Sequence, residues 1–526
     1  MRRHLTALAA VATMTLSALV GAGPAAHADR AAGGPPGPGR IVTGTYSTGA
    51  ARAWLPLPEV RTGTDPGGPV TATVVADPDA VRQQYAGVGF SLDETSVSNL
   101  WKLTPAKREE AVRLLVDPVH GAGLDRFRLT IGSPDLIEHL PFWSEDDLPA
   151  GVTEDFGLTY FSIRRDIDLH IIDTVKLIQR YNPHATFFAS AWSAPAWMKT
   201  NNRFTGQVAL KPGSSTDYYQ AGKLRDDCIG VFARYYVKFV QAYARHGIRV
   251  DALTLLNEPG MDVVYPAMDI SVAQQQKLAL AIKREFRAAR LNTRLYVHDF
   301  NFWDWRDPHS EATKNYHRIF DDAPDGSVTG EQVREAADAI AFHPYWGDPR
   351  VMRDAYEQTG KPVQLTETSD LSPSTILDDF RLDAGSYILW AQTTDQDGGT
   401  LHWTPARDND VDWDQVAATT KWRDRLVTVN TATRDFTVRD ELYPIGQFAK
   451  YLSPGDVRLE SSAAEHGIGN VVYRTKNGGF VAVLGNSTHT DGKVRITVAD
   501  QTFVVTVPAD SFATYRWRSG PGHRPR

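Results

Sequence analysis

Cysteine is nearly absent. The 526 residues hold one, Cys228, which excludes an intrachain disulfide framework and a cysteine-built zinc site. Long basic runs are missing as well: 56 Lys and Arg are outnumbered by 63 Asp and Glu, for a formal net charge of −7. Such a balance argues against a nucleic-acid partner. Gly87-Val88-Gly89 lacks the third glycine of a dinucleotide loop and is followed by acids. There is no Gly-x-Ser-x-Gly elbow for serine hydrolysis, no His-Glu-x-x-His zinc motif and no internal repeat. Beyond the N-terminus, no apolar stretch approaches the length of a membrane span.

What is present describes a globular chain, with 42% apolar, 23% charged and 10% aromatic residues. Residues 1–28 read as a secretory signal peptide: Arg2 and Arg3, an apolar run from Leu5 to Val20, and the small-x-small site Ala26-His27-Ala28. Their removal takes the net charge to −9, because they hold two arginines and no acid. Residues 29–40 form a Pro/Gly linker and 519–526 a similar tail, neither able to bury a core. The expected product is a secreted, extracellular monomer without a transmembrane segment.

Between these ends, short apolar strands alternate with amphipathic helices, the pattern of a parallel α/β architecture. Strands are predicted at Tyr85–Phe90, Asp125–Leu129, Thr186–Ala191, Ala252–Leu256, Arg294–His298, Ala339–Phe342, Val363–Thr366 and Gly399–Trp403. Within Cys228–Arg245, Phe232, Tyr236, Phe239 and Tyr243 share one helical face, which reads as core, and Gly247 ends the helix. Eight such units over roughly 320 residues suit a (β/α)₈ TIM barrel spanning 81–437. From 438 to 518 the pattern becomes short alternating strands with Asn-Gly and Asp-Gly turns, a smaller antiparallel β-sandwich domain. Strand-like segments within 41–80 are expected to join it.

In a barrel of this kind the reactive groups project from the C-terminal strand ends. The fourth strand runs into Asn257-Glu258-Pro259 and the seventh into Glu367. Two carboxylates facing one pocket are the minimum apparatus for glycoside hydrolysis, one protonated to assist the leaving oxygen, the other ionised. Mutual repulsion separates their proton affinities. Asn257 is placed to hydrogen-bond a sugar 2-hydroxyl, and Tyr345 to orient a nearby carboxylate. Trp192, Trp197, Trp303, Trp305, Trp346 and Trp403 follow strand ends, close to half of the 13 tryptophans, and offer flat faces to sugar rings. Trp403 is the preferred stacking platform. Asp93, Glu94, Arg128, Asp135 and His343 are further polar groups at strand ends. Arg128 with Asp299 fits either a structural ion pair under the pocket or a substrate contact.

A metal-dependent hydrolase is the competing chemistry, built on His298, His343 and His402 beside Asp299. Against it, the first strand has no His-x-His pair. The acidic run Asp408–Asp414 matches a calcium loop only loosely, without its central glycine and final glutamate. The two-carboxylate reading calls for no metal and no cofactor.

At these residues the chain resembles glycoside hydrolase family 30, the glucosylceramidase-like retaining β-glycosidases of clan A. The segments that carry the likeness run in the family's order. They are Gly87–Asp93, Phe127–Asp135, Ala189–Asn201 (ASAWSAPAWMKTN), Asn257-Glu258-Pro259, His343-Pro344-Tyr345, Thr366-Glu367, His402-Trp403 and Leu442–Pro454. The resemblance implies that Glu258 is the acid/base and Glu367 the nucleophile. It also implies that Asp93, Trp192, Asn257, Tyr345 and Trp403 line the subsite of the cleaved sugar; Arg128, Asp135, His343, Trp305 and Trp346 are candidate supporting groups by their positions behind strands. The implied substrate is a β-linked oligosaccharide, polysaccharide or glycolipid. Alternatives within the family are endo-acting β-1,6-glucanase, β-1,6-galactanase and xylanase. Pro344, between the histidine and the tyrosine, and the Thr-Ser-Asp that follows Glu367 depart from the lysosomal type and leave the sugar open.

Overall fold

The computed structural model describes residues 39–138, 141–206, 222–261, 265–302, 315–397 and 425–519. The signal peptide, nearly all of the linker, the tail after Ser519, Trp303, Trp305, His402, Trp403 and the Asp408–Asp414 run lie outside the described residues.

Three strands come first: β1 (Ile41–Ser47), β2 (Leu55–Arg61) and β3 (Ala72–Gln84). Eight parallel strands then close a barrel: β4 (Gly87–Leu92), β5 (Arg126–Ile131), β6 (Thr186–Ala191), β7 (Ala252–Thr254), β8 (Arg294–Asn301), β9 (Ala339–His343), β10 (Val363–Thr368) and β11 (Ala384–Leu389). Strand β11 pairs with both β10 and β4 and so closes the ring. The eighth strand is therefore Ala384–Leu389, not the predicted Gly399–Trp403, which lies outside the described residues. Its opening Ala-Gly-Ser has low strand propensity, and burial on both faces erases the alternation that marks a half-exposed strand.

Helices cover the barrel as the periodicity requires. Ile229–Arg245 buries Phe232, Tyr236, Phe239 and Tyr243, and Gly247 follows with φ 76°. The adjacent helix Val272–Ala288 starts from a capping box, Ser271 with Gln274. A glycine is obligatory at position 89, where a Cβ would meet the Arg126 carbonyl oxygen at 1.7 Å, because β4 and β5 approach so closely there.

Inside the barrel, alternate residues of each strand form layers. The lower layer holds Phe188, Ala252, Tyr296, Ala339, Ala341 and Ile388. Arg126 joins it, with its guanidinium carbon 5.0 Å from the Phe188 ring and Nη2 donating to the Tyr296 hydroxyl at 2.8 Å. Above this floor the inward positions turn polar, and the candidate site begins.

After a three-stranded sheet of β12 (Thr393–Asp395), β13 (Val427–Asn430) and β14 (Asp435–Val438), the buried helix Leu442–Ala449 leads into the last strands. These are β15 (Val457–Ser461), β16 (Ile468–Arg474), β17 (Gly479–Asn486), β18 (Gly492–Val498), β19 (Gln501–Val507) and β20 (Ser511–Arg518). With β1–β3 they make a nine-stranded sheet in the order β19-β18-β3-β15-β16-β17-β20-β1-β2. Neighbouring pairs are antiparallel except β18 with β3. The helix is tied to this sheet through Thr514, which donates to the Gln447 carbonyl at 2.7 Å, and through Gln447 itself, which donates to Ser47 at 2.7 Å.

Candidate active site

Glu258 and Glu367 meet at the C-terminal mouth of the barrel. Glu258 follows β7, in Asn257-Glu258-Pro259, and Glu367 is the penultimate residue of β10. One carboxylate oxygen of each lies within 4.8 Å of the other and of a ring nitrogen of His343. Glu258 has φ 44°, a left-handed conformation for a non-glycine residue, of a kind that costs on the order of 1–3 kcal/mol and persists only where surroundings enforce it. Its amide donates to the Asp299 carbonyl at 3.0 Å, which holds that turn.

Arg128, fully buried on β5, serves three acceptors. Nη1 donates to Glu367, and Nη2 donates to Asn257 Oδ1 at 2.8 Å and Asp299 Oδ2 at 3.0 Å. The Tyr345 hydroxyl donates to the other Glu367 oxygen at 2.9 Å. His343 bridges two acids, with Nδ1 donating to Glu258 Oε1 at 3.2 Å and Nε2 to Asp299 Oδ1 at 3.2 Å. Of the two readings of the Arg128–Asp299 pair, the buried ion pair is present, and Arg128 also touches Glu367.

The charges set the proton affinities. Burial pushes the Glu258 carboxyl up, opposed by the hydrogen bond and charge of His343 and reinforced by the Glu367 charge, and the net shift is upward. Burial would lower His343, but the Glu367 charge and the contact with Asp299 outweigh it and push the imidazole up to about 10. Asp299, which burial alone would raise, is held well below the ordinary carboxylate range by Arg128 and His343.

Asp135 stands in the same mouth. Burial, then the charges of Glu367, Asp93 and Glu258, raise its carboxyl well above the usual range, and its Oδ1 has no hydrogen-bond partner among the described residues. The turn that delivers it is fixed from below, where the Gly132 amide donates to Glu145 at 2.7 Å and the Ser133 amide to the Trp143 carbonyl at 2.9 Å. Asp93 has a second employment: it caps the helix Glu94–Lys102, accepting from the Ser96 amide at 2.9 Å and from Ser91 at 2.7 Å.

The tryptophans divide. Trp192 is in the site, with the Arg128 guanidinium 4.7 Å from its ring. Trp197 is buried in the loop core and donates to Asp146 at 2.9 Å. Trp346 is 54% exposed, and its carbonyl accepts from the Phe302 amide at 3.1 Å. The preferred platform, Trp403, lies outside the described residues, as does Trp305. Two aromatics that the sequence reading did not single out also stand at the mouth. Trp390, immediately after β11, stacks on Trp192, and Tyr265 packs with Leu136, Trp192, Trp390 and Ala391. Loss of solvent, then the charges of Glu258, Asp135 and Glu367, raise the Tyr265 hydroxyl. An apolar segment ending in Trp was the available signal for Trp390, and nothing local marks Tyr265.

Glu258, His343 and Glu367 are close enough to meet a cation, but the donor set does not suit one. Both His343 nitrogens are already engaged, Nδ1 3.2 Å from Glu258 and Nε2 3.2 Å from Asp299. His298 does not join the group either; its Nε2 sits 3.0 Å from the Asn301 carbonyl, and burial lowers it to about 4.

Comparisons with known proteins bear on the family and the fold. Residues 85–291 match the Glycosyl hydrolase family 30 TIM-barrel domain and 455–515 the Glycosyl hydrolase family 30 beta sandwich domain. The chain is 25% identical to an endo-1,6-beta-D-glucanase of Trichoderma harzianum, over 82% of this chain and 84% of that protein. It is 24% identical to the lysosomal acid glucosylceramidase of Mus musculus, over 84% and 82%. Among solved structures, SrfJ from Salmonella typhimurium and the endo-beta1,6-glucanase BT3312 each superimpose with a TM-score of 0.73 at 21% identity. Each likeness covers 91% of this chain, with 100% and 99% of the respective neighbour, and concerns the fold.

Proposed function

The chain belongs to glycosyl hydrolase family 30 and is an O-glycosyl hydrolase, and from that premise we propose that it cleaves β-linked glycosides with retention, by double displacement on Glu367 and Glu258. The observation that carries the reading is the approach of the two carboxylates to within 4.8 Å, oxygen to oxygen. Retaining enzymes hold their carboxyl groups about 5–5.5 Å apart, whereas inverting ones need about 6.5–9.5 Å to admit a water.

In the first step Glu367 attacks the anomeric carbon while Glu258 gives its proton to the departing oxygen, leaving a glycosyl ester on Glu367. In the second, Glu258 takes a proton from water, and the resulting hydroxide displaces Glu367 from the sugar. Supporting groups fit these roles. Arg128 and Tyr345 each donate to a different Glu367 oxygen, which fixes the attacking carboxylate. The raised Glu258 carboxyl suits a group that must start protonated. Asn257, fixed by Arg128, is assigned to the sugar 2-hydroxyl, and Asp135, Trp192 and Trp390 to the walls of the same subsite.

Glu367→Gly tests the nucleophile: activity on an aryl β-glycoside disappears and azide restores it as a glycosyl azide of the opposite anomeric configuration. A variant that remains active without azide would sink the assignment. A hydrolysis screen over glucosylceramide, β-1,6-glucan, β-1,6-galactan, xylan and aryl β-glycosides then identifies the sugar, with the names of the relatives pointing first to β-1,6-glucan and glucosylceramide. Export is part of the proposal and predicts a protein in the medium beginning at Asp29.

A further inference from the structure

His298 and Asp299 are consecutive non-glycine residues with positive φ, 77° and 58°, and β8 loses register with β9 between His298 and Phe300. The bulge changes which side chain enters the barrel. Tyr296 points inward to Arg126, so strict alternation would bring His298 in next. Instead His298 lines a small cavity on the outer side, with Val272 and Gln275 of the covering helix, and Asp299 turns into the mouth.

Once there, Asp299 gathers the machinery. Oδ2 accepts from Arg128 at 3.0 Å and Ser190 at 2.9 Å; Oδ1 accepts from Thr366 at 2.6 Å and His343 at 3.2 Å. Its carbonyl takes the Glu258 amide. Each cation that Asp299 binds also binds one of the two glutamates, Arg128 to Glu367 and His343 to Glu258.

We propose that the β8 bulge makes Asp299 the positioning residue of the reaction, holding Arg128 against Glu367 and His343 against Glu258 without touching substrate itself. The inference rests on the roles proposed above for the two glutamates. Charge balance gives it a chemical consequence. His343 is faced by Glu258 from the β7 end, Asp299 from β8 and, at 3.9 Å, Glu367 from β10, with Arg128 of β5 as the other cation. Asp299 and Glu367 as anions balance Arg128 and a protonated His343, so the group is neutral when Glu258 keeps its proton. That is the state in which an acid must begin its cycle. Without the Asp299 charge the two cations lose their shared partner, and His343 gives up its proton more readily.

Asp299→Asn in the full chain, assayed on an aryl β-glycoside, is expected to lower kcat about 100-fold or more with KM changed less than about threefold. In histidine-selective ¹⁵N spectra, with His343→Gln to assign the signal, the His343 imidazole titrates more than about one pH unit lower than in wild type. A kcat within threefold of wild type, or an unmoved imidazole, overturns the proposal. Should Asp299→Asn fail to fold, Thr366→Val decides: it removes one donor to Asp299, and kcat falls several-fold at unchanged KM if Asp299 positions the site, or stays at the wild-type value if it does not. Failure of the proposed function would look different, as a Glu367→Gly variant that stays active without azide or that azide does not rescue.

Discussion

Trp192 and Trp390 stack with ring centroids 4.9 Å apart and planes 29° from parallel. They immediately follow β6 and β11, which are separated in the barrel ring by β4 and β5, so their contact roofs that side of the mouth. The Arg128 guanidinium lies 4.7 Å from the Trp192 ring and 5.7 Å from the Trp390 ring. This cation is therefore shielded from water on its aromatic side, which strengthens its bonds to Glu367 and Asp299. Trp390→Ala admits water to that cluster and is expected to lower kcat/KM about 100-fold, while Trp390→Phe, which keeps a ring, restores most of the loss. Steady-state kinetics of the two variants on one aryl β-glycoside check this. Equal losses in both would rule out a role for the ring face.

Arg128→Lys removes no charge but is not a conservative change here. The guanidinium reaches Glu367 through one nitrogen and Asn257 and Asp299 through another, a fork that a single ammonium cannot reproduce. Because Arg128, Asp299 and Glu367 are all buried, the misplaced charge also leaves acceptors unpaired. The expected result is a fall in kcat of about 100-fold or more, together with a melting temperature below that of wild type. Kinetics and thermal melts measured together separate the two effects.

His343 has an effect on pH dependence whose sign follows from its neighbours. Burial raises Glu258, and the His343 hydrogen bond and charge are the strongest influences pulling it down. Removing that cation in His343→Gln raises Glu258 further, so the acid keeps its proton to higher pH. The alkaline limb of kcat/KM should move up by about one pH unit, even though the absolute rate falls with the loss of a contact to Asp299. A pH profile on a substrate with a poor leaving group, which needs the acid, reads the shift. Downward movement of the limb would contradict the assignment of Glu258.

Much of the site was legible because strand ends leave a signature. Ala252-Leu-Thr-Leu-Leu breaking into Asn257-Glu258-Pro259 and Val363-Gln-Leu-Thr breaking into Glu367 carry it, and the structure brings both acids to one mouth with His343 and Tyr345. The helix Ile229–Arg245 was equally plain from its aromatic spacing. Strand β11 was not, since Ala384-Gly385-Ser386 lacks the branched side chains that mark strands, and Trp390 behind it was therefore not singled out. The β8 bulge is invisible in a sequence, because Tyr296, His298 and Asp299 are all compatible with an inward position and only the ladder decides between them. Asp93 shows a different limit. A carboxylate after a strand reads as a ligand for substrate, and its further role as a helix cap, accepting from the Ser96 amide three residues on, is not separable from that reading in the sequence.

Asp379 offers a stability test away from the mouth. It lies buried in the helix Pro373–Arg381, its Oδ2 has no partner among the described residues, and burial with the charges of Asp378 and Asp370 pushes it up to about 8. Unfolded, an aspartate ionises near pH 3.9. Below that value both states are protonated and folding is unpenalised. As pH rises through the window up to about 8, the unfolded chain ionises while the folded one holds its proton, and stability is lost progressively. Asp379→Asn removes this titration. The variant should match wild type near pH 4 and gain on the order of 1–3 kcal/mol by pH 8, read as a melting-temperature difference that widens with pH. A difference that stays constant from pH 4 to pH 8 would mean that Asp379 ionises normally in the folded protein.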